Sequence, residues 1–150
     1  MSVVRLTRLL CVASLTALAA TGPLAAPDAA AQTTAAPHSR VVMQVSDNDP
    51  AKWNLALNNA RNLQSDLGAA NVEIEIVAYG PGIGMLKAES VVGNRIGEAL
   101  DSGVKVAACE NTMRGQKLGK PDMLNGIGYV PAGVVEIVQK QQQGWAYLRP

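Results

Sequence analysis

Apolar segments alternate with amphipathic segments from residue 41 to the C-terminus, and this alternation limits the fold more than any other feature of the chain. The apolar segments have the length of buried strands, and between them apolar residues recur at helical spacing, as they do from Trp53 to Leu67. The predicted strands are 41–45, 71–79, 104–108, 127–130 and 145–148. Five strands that alternate with four or five helices predict a three-layer α/β domain with a five-stranded, mainly parallel sheet.

The last predicted helix starts at Pro131, because proline is favoured in the first turn of a helix. Its apolar spacing predicts that Val134, Ile137 and Val138 face the core. Polar residues, among them Glu136, Lys140, Gln141 and Gln142, are then expected to face water. The two preceding predicted helices are a segment capped by Ser90 and a short one at about 112–118.

The first 31 residues are typical of a secretory signal peptide. Two arginines precede an apolar run over residues 9–20, and small residues ending at Ala31 form a suitable cleavage site. The run has roughly a dozen residues, whereas a membrane-spanning helix needs about 20. We therefore expect a periplasmic or secreted protein with a signal peptide at 1–31, a flexible leader at 32–40, a single domain at 41–150 and no membrane attachment after cleavage.

Cleavage after Ala31 would leave a domain without net charge. It removes Arg5, Arg8 and Asp28 from a chain with 13 basic and 12 acidic residues, which leaves 11 of each. A neutral domain without a basic cluster argues against nucleic acid or an anionic membrane as a partner. The one histidine, His38, lies in the leader, so we predict no Cys–His pair, no metal site, no cofactor and no hydrolase activity.

Cleavage would also leave Cys109 as the only cysteine of an exported protein, because Cys11 lies in the signal peptide. Such a cysteine is buried, paired with another chain or reactive. Ligands of parallel sheets gather at the carboxyl ends of the strands, and Cys109 directly follows the third predicted strand. The predicted loops at this edge are 46–48, 79–84, 109–112 and 130–133. This position favours a reactive thiol over an inert buried one.

A reactive Cys109 requires a lowered thiol pKa, because the ordinary value of about 8.5 leaves most of the thiol protonated at neutral pH. A helix N-terminus stabilises a nearby anion by about 0.3 to 1 kcal/mol, which lowers the pKa by less than one unit. A further contribution is therefore needed. The candidate donors are Asn111, Thr112 and the backbone amides after Cys109, and the candidate cations are Arg114 and Lys117.

A glycine-rich turn, Gly80-Pro81-Gly82-Ile83-Gly84, follows the second predicted strand directly after Tyr79. Met85 occupies the position at which a dinucleotide-binding fingerprint needs its third glycine. We interpret the segment as a tight turn that brings backbone close to a site. Its supporting residues are expected to be Tyr79, Gly80 and Gly82.

Four segments of the chain carry a family resemblance. They are 108–112, with Cys109 and Asn111 after a strand, 78–82, 130–136 and 144–150. Together they resemble the DsrE/DsrF-like family of sulfur-relay proteins over residues 41–150. The resemblance implies a five-stranded parallel sheet, assembly into homotrimers or homohexamers, and a persulfide on the cysteine that Cys109 matches by position. Trp145 and Tyr147 are expected to be buried between subunits.

The leading hypothesis is a sulfur carrier or sulfur transferase. In it, Cys109 accepts sulfane sulfur as a persulfide and passes it to a partner thiol, and the donor and acceptor are proteins or small sulfane compounds. Two alternatives stay open. One is a non-catalytic oligomeric binding module of the cell envelope with an inert cysteine, and the other is redox exchange through a mixed disulfide.

Overall fold

The computed structural model describes residues 38–150, which form a five-stranded sheet with helices on both faces. The strands are β1 (Ser39–Val45), β2 (Val72–Ala78), β3 (Lys105–Cys109), β4 (Gly128–Val130) and β5 (Ala146–Leu148). The helices are α1 (Pro50–Leu67), α2 (Gly93–Asp101), α3 (Glu110–Gly115) and α4 (Gly133–Gln142). The predicted signal peptide, its cleavage site and the leader as far as residue 37 lie outside the described residues.

The sheet has the strand order β4-β3-β2-β1-β5, and every neighbouring pair is parallel. The predicted α/β fold with a five-stranded sheet is therefore confirmed. Because all strands run in the same direction, their carboxyl ends form one edge. The register places Ala108 opposite Ala78 and Cys109 opposite Val130, so the ends of β2, β3 and β4 lie side by side.

The larger core lies on the sheet face covered by α1 and α2. Alternate strand residues point into this core, among them the fully buried Met43, Ile74 and Ile76. The helix α1 begins as predicted, since the Asp49 side chain accepts a hydrogen bond from the Ala51 N–H at 2.8 Å. Within residues 38–150, no helix combines the length and the apolar character needed to cross a bilayer.

The opposite face carries a smaller core under α4. This second core consists of Val42, Val77, Ile137 and Trp145. The Glu75 side chain points to the same face and is buried, and its Oε2 atom lies 2.6 Å from Lys140 Nζ. Lys140 Nζ also lies 4.3 Å from the centroid of the Trp145 ring, a cation–π distance. Apolar packing and an ion pair thus hold α4 on the sheet together.

The face of α4 that packs on the sheet is not the face that the sequence predicted. Val134 and Val138 were expected in the core but are 56% and 45% exposed, whereas Ile137 is buried as expected. Glu136 and Lys140 were expected to face water but are half-buried. A buried carboxylate needs a partner of opposite charge, and the pairing of Lys140 with Glu75 therefore turns these two residues of α4 towards the sheet.

Three further expectations need correction. The third helix begins at Glu110, so Cys109 is at once the last residue of β3 and the N-cap of α3. The second helix begins at Gly93, because Ser90 instead accepts a hydrogen bond from Val92 N–H within a turn. Trp145, expected between subunits, is buried within its own chain by the packing of α4.

Lys140→Met should destabilise the protein by about 3 kcal/mol, because it leaves the Glu75 carboxylate buried without a partner. The matched control is Lys105→Met. Lys105 pairs with Glu73 at 2.7 Å, but these side chains are 58% and 36% exposed, and surface pairs contribute only about 0–1 kcal/mol. Urea denaturation gives both unfolding free energies. Equal losses in the two variants would contradict a special role for the buried pair.

Candidate functional site

Cys109 lies at the carboxyl edge of the sheet, where the sequence predicted it, but it is covered. The residue is only 4% exposed, and its thiol is free. The end of β3 and the start of α3 fix its backbone in an extended conformation, with φ −77° and ψ 112°. The site is therefore a buried thiol at a functional edge, and the neighbouring groups determine its chemistry.

The start of α4 covers the sulfur. Gly133 N–H donates a hydrogen bond to Cys109 Sγ at 3.2 Å. Two residues earlier, the Pro131 carbonyl accepts a hydrogen bond from Asn111 N–H, also at 3.2 Å. We call residues 131–133 the covering segment. It is bonded at one end to the cysteine and at the other to the first turn of α3.

The pKa of the Cys109 thiol lies below its ordinary value. Burial raises it, but hydrogen bonding from the Thr112 side chain and from the backbone N–H groups of Gly133, Thr112 and Asn111 lowers it by more. The Gly133 bond is direct, and Asn111 and Thr112 lie in the first turn of α3, whose N-cap is Cys109. These donors are all uncharged, so the thiolate is stabilised by dipoles.

Thr112 connects the cysteine to the glycine-rich turn. Gly80 N–H donates to Thr112 Oγ1 at 2.9 Å, which leaves the hydroxyl proton of Thr112 available for another acceptor. Gln116 Nε2 donates to the Gly80 carbonyl at 3.4 Å. The backbone of Gly80 has φ +54°, in the left-handed region that glycine enters without a steric cost. The turn after β2 is thus hydrogen-bonded to α3 and its C-cap through both the N–H and the carbonyl of Gly80.

Tyr79 and Gly82 hold the same turn against β1. Tyr79 N–H donates to the Val45 carbonyl at 3.1 Å, and a Cβ on Gly82 would lie 2.3 Å from that same oxygen. Position 82 therefore requires glycine. Burial raises the pKa of the Tyr79 phenol, so it remains protonated at neutral pH. Tyr79 contributes packing to the site, and its phenol carries no charge there.

The predicted cations are not among the groups that lower the pKa of Cys109. The Arg114 guanidinium donates to Asn111 Oδ1, and both side chains are exposed. Residues three apart on a helix lie on the same face, which brings these two together on the solvent side of α3. Lys117 is exposed as well. Asn111 therefore contributes its backbone N–H, while its side chain points away with Arg114.

Gly133 is the residue of the site that sequence reasoning did not single out. It entered the prediction only as the end of the edge loop 130–133. The sequence predicted the start of the last helix at Pro131, whereas α4 begins at Gly133. Its hydrogen bond to a residue 24 positions earlier, however, depends on how α4 lies on the sheet.

Fold and site together define a three-layer α/β protein with a thiol at the end of its third strand. The DsrE/DsrF-like family matches the chain over residues 40–150. The chain therefore belongs to the DsrE/DsrF-like family, as its sequence resemblance indicated. Among curated proteins, the comparison finds no match.

Solved structures with the same fold come from several organisms. The protein MTH1491 of Methanobacterium thermoautotrophicum, described as of unknown function, is 38% identical, has a TM-score of 0.71, and is aligned over 75% of this chain and 99% of its own. BT1422 of Bacteroides thetaiotaomicron is 16% identical, with a TM-score of 0.62 and coverage of 75% and 95%. The ychN protein of E. coli is 11% identical, with a TM-score of 0.60 and coverage of 75% and 99%. These last two show the fold alone.

The lowered pKa of Cys109 should appear in the pH dependence of stability. A group whose pKa is lower in the folded state stabilises that state above its unfolded pKa, and this contribution is lost as the pH falls through the folded pKa. We expect the unfolding free energy of the wild type, minus that of Cys109→Ala, to rise with pH over this interval. Denaturation at several pH values measures it. A difference that falls with rising pH would show that burial dominates.

The Thr112 hydroxyl should be one of the groups that keep this pKa low. Thr112→Val preserves the shape of the side chain but removes the hydroxyl, so we expect the pKa of Cys109 to rise. Thr112→Ser keeps the hydroxyl and should leave the pKa near the wild-type value. The ultraviolet absorbance of the thiolate, with Cys109→Ser as baseline, follows the titration. An unchanged titration midpoint of Cys109 in Thr112→Val would show that the Thr112 hydroxyl does not lower the pKa.

Proposed function

We propose that this protein is a sulfur carrier, in which Cys109 receives sulfane sulfur as a persulfide and passes it to a partner thiol. The observation that supports this most is the Cys109 thiol itself, which is buried and yet has a lowered pKa because uncharged donors face it. Membership of a family associated with sulfur relay is consistent with the proposal. The donor is a small sulfane compound or a persulfide on another protein, and the acceptor is a thiol.

The uptake step needs the thiolate form of Cys109. The thiolate attacks the outer sulfur of a donor R–S–SH, a new sulfur–sulfur bond forms, and the bond within the donor breaks. The donor leaves as R–S⁻, and Cys109 becomes Cys–S–SH. Electrons and atoms balance without an external oxidant or reductant. A lowered pKa raises the thiolate fraction of Cys109 without an imidazole base, which fits a chain whose one histidine, His38, precedes β1.

The release step depends on the same hydrogen-bond donors, which now stabilise the Cys109 sulfur as it departs. An acceptor thiolate attacks the outer sulfur of the Cys109 persulfide, and the Cys109 sulfur departs as the leaving group. A thiolate of lower pKa leaves faster, so the Gly133 N–H and the Thr112 side chain assist release as well as uptake. The added sulfur–sulfur bond extends the side chain by about 2 Å, and the acceptor has to reach only the outer sulfur.

Intact mass spectrometry tests the proposal directly. Native protein without residues 1–31, treated with inorganic polysulfide, should gain the mass of one sulfur atom, and a small thiol such as cysteine should remove it, because the terminal sulfur is transferable. Cys109→Ser is the matched control and should gain nothing. If the wild type gains no sulfur, or if Cys109→Ser gains as much, the carrier function is wrong.

The alternative function is a non-catalytic, oligomeric binding module with an inert cysteine. The burial of Cys109 and the exposure of Val134, Val135 and Val138 on α4 favour it, since a group of exposed apolar side chains is typical of a contact surface. The homotrimeric or homohexameric assembly implied by the family resemblance is part of this alternative and is equally compatible with a carrier. Sedimentation showing assembly, together with absence of sulfur uptake, would favour the module.

A further inference from the structure

The surroundings of Cys109 leave little room for a group attached to its sulfur. The residue is almost completely buried, and Gly133 N–H lies 3.2 Å from Sγ. Even a methyl group on Gly133 would lie 3.3 Å from Cys109 Cβ, 3.2 Å from Val77 Cγ1 and 3.0 Å from Tyr79 Cβ. Carbon atoms prefer separations of about 3.5 to 4.0 Å. Gly133 is therefore in close contact with the ends of β2 and β3, and the space beside Cys109 is narrow.

The covering segment is also held in place from several sides. It is bonded to Cys109 through Gly133 and to Asn111 through the Pro131 carbonyl. The helix that follows it is tied to the sheet by the Lys140–Glu75 ion pair and by the buried Ile137. A bulky group on the sulfur would have to break these interactions. A single added sulfur atom occupies less space and would displace fewer of them.

The kind of sulfur compound that reacts determines what stays on the cysteine. A thiolate that attacks an organic disulfide keeps the attacked sulfur together with its carbon substituent. A thiolate that attacks a terminal sulfane sulfur keeps a single sulfur atom. The leaving group departs in both cases, so only the retained group has to fit beneath the covering segment.

We propose that the covering segment makes Cys109 selective for inorganic hydropolysulfides, which carry a terminal sulfur, and against organic disulfides such as glutathione disulfide. This inference rests on the proposed function, because it names the class of donor that the carrier uses. The Cys109 thiolate attacks the terminal SH sulfur of the hydropolysulfide, and a new sulfur–sulfur bond forms. The adjacent bond breaks, its electron pair leaves with the shortened polysulfide, and the proton stays on the transferred sulfur.

The test compares two reagents on the folded and the unfolded chain. Wild-type protein, native or in urea, is treated with inorganic polysulfide or with glutathione disulfide, and intact masses are followed over time. The unfolded chain gives the ratio of sulfur addition to glutathione addition for a fully exposed thiol. In the native protein, we expect this ratio to shift towards sulfur addition by roughly tenfold or more, the size of discrimination that a closed pocket achieves.

Two outcomes would overturn the inference in different ways. If native Cys109 gains sulfur but also gains glutathione at the ratio of the unfolded chain, the selectivity is wrong while the carrier function stands. If native Cys109 gains neither group, the carrier function and the selectivity are both wrong.

A pair of glycine variants tests whether the covering segment is responsible. Gly133→Ala forces the start of α4 away from Cys109 and should increase glutathione addition. Gly115→Ala, in α3, is the matched control, since its added Cβ would meet no atom within 4 Å, and it should react like the wild type. An unchanged ratio in a folded Gly133→Ala would exclude this role of the segment. If Gly133→Ala does not fold, the comparison of native and unfolded wild type still tests the selectivity.

Discussion

The structure depends on how α4 covers the second face of the parallel sheet. A parallel sheet is stable only when both faces are buried, and in residues 38–150 α4 is the helix that packs on the face opposite α1 and α2. Ile137 and the Lys140–Glu75 pair fix where α4 lies. That position brings the Gly133 N–H onto the sulfur of Cys109. The packing that completes the core thus also completes the site.

The chemistry of Cys109 follows from the balance between burial and hydrogen bonding. Burial alone favours the neutral thiol, and a helix start alone contributes too little to reverse this preference. The hydrogen-bond donors of Gly133, Thr112 and Asn111 act together and lower the pKa of the Cys109 thiol. In the proposed sulfur carrier, the cover over the thiol would disfavour bulky reagents, and the lowered pKa would make the Cys109 sulfur a better leaving group. Both properties suit the transfer of a single sulfur atom.

The sequence predicted the architecture because strands and helices have different periods of hydrophobicity. The predicted strands 41–45, 71–79 and 104–108 became the central strands with small shifts at their ends, and Asp49 capped α1 as expected. Prediction failed where one distant partner outweighed the local pattern. On α4, the buried Glu75 drew Lys140 inward, and Val134 stayed at the surface. Hydrophobic spacing cannot reveal a charge on a strand that lies far away in the sequence.

Some features of the site were likewise predictable from the sequence, and others depended on the tertiary structure. Sequence alone determined that Cys109 lies at the carboxyl edge of the sheet and that Thr112 and the turn after Tyr79 lie near it, because strand direction and element order follow from local patterns. Only the tertiary structure decided that Arg114 faces solvent with Asn111 and that Gly133 covers the thiol. These contacts depend on helix rotation and on the docking of α4. Both are set by packing between segments that are far apart in the chain.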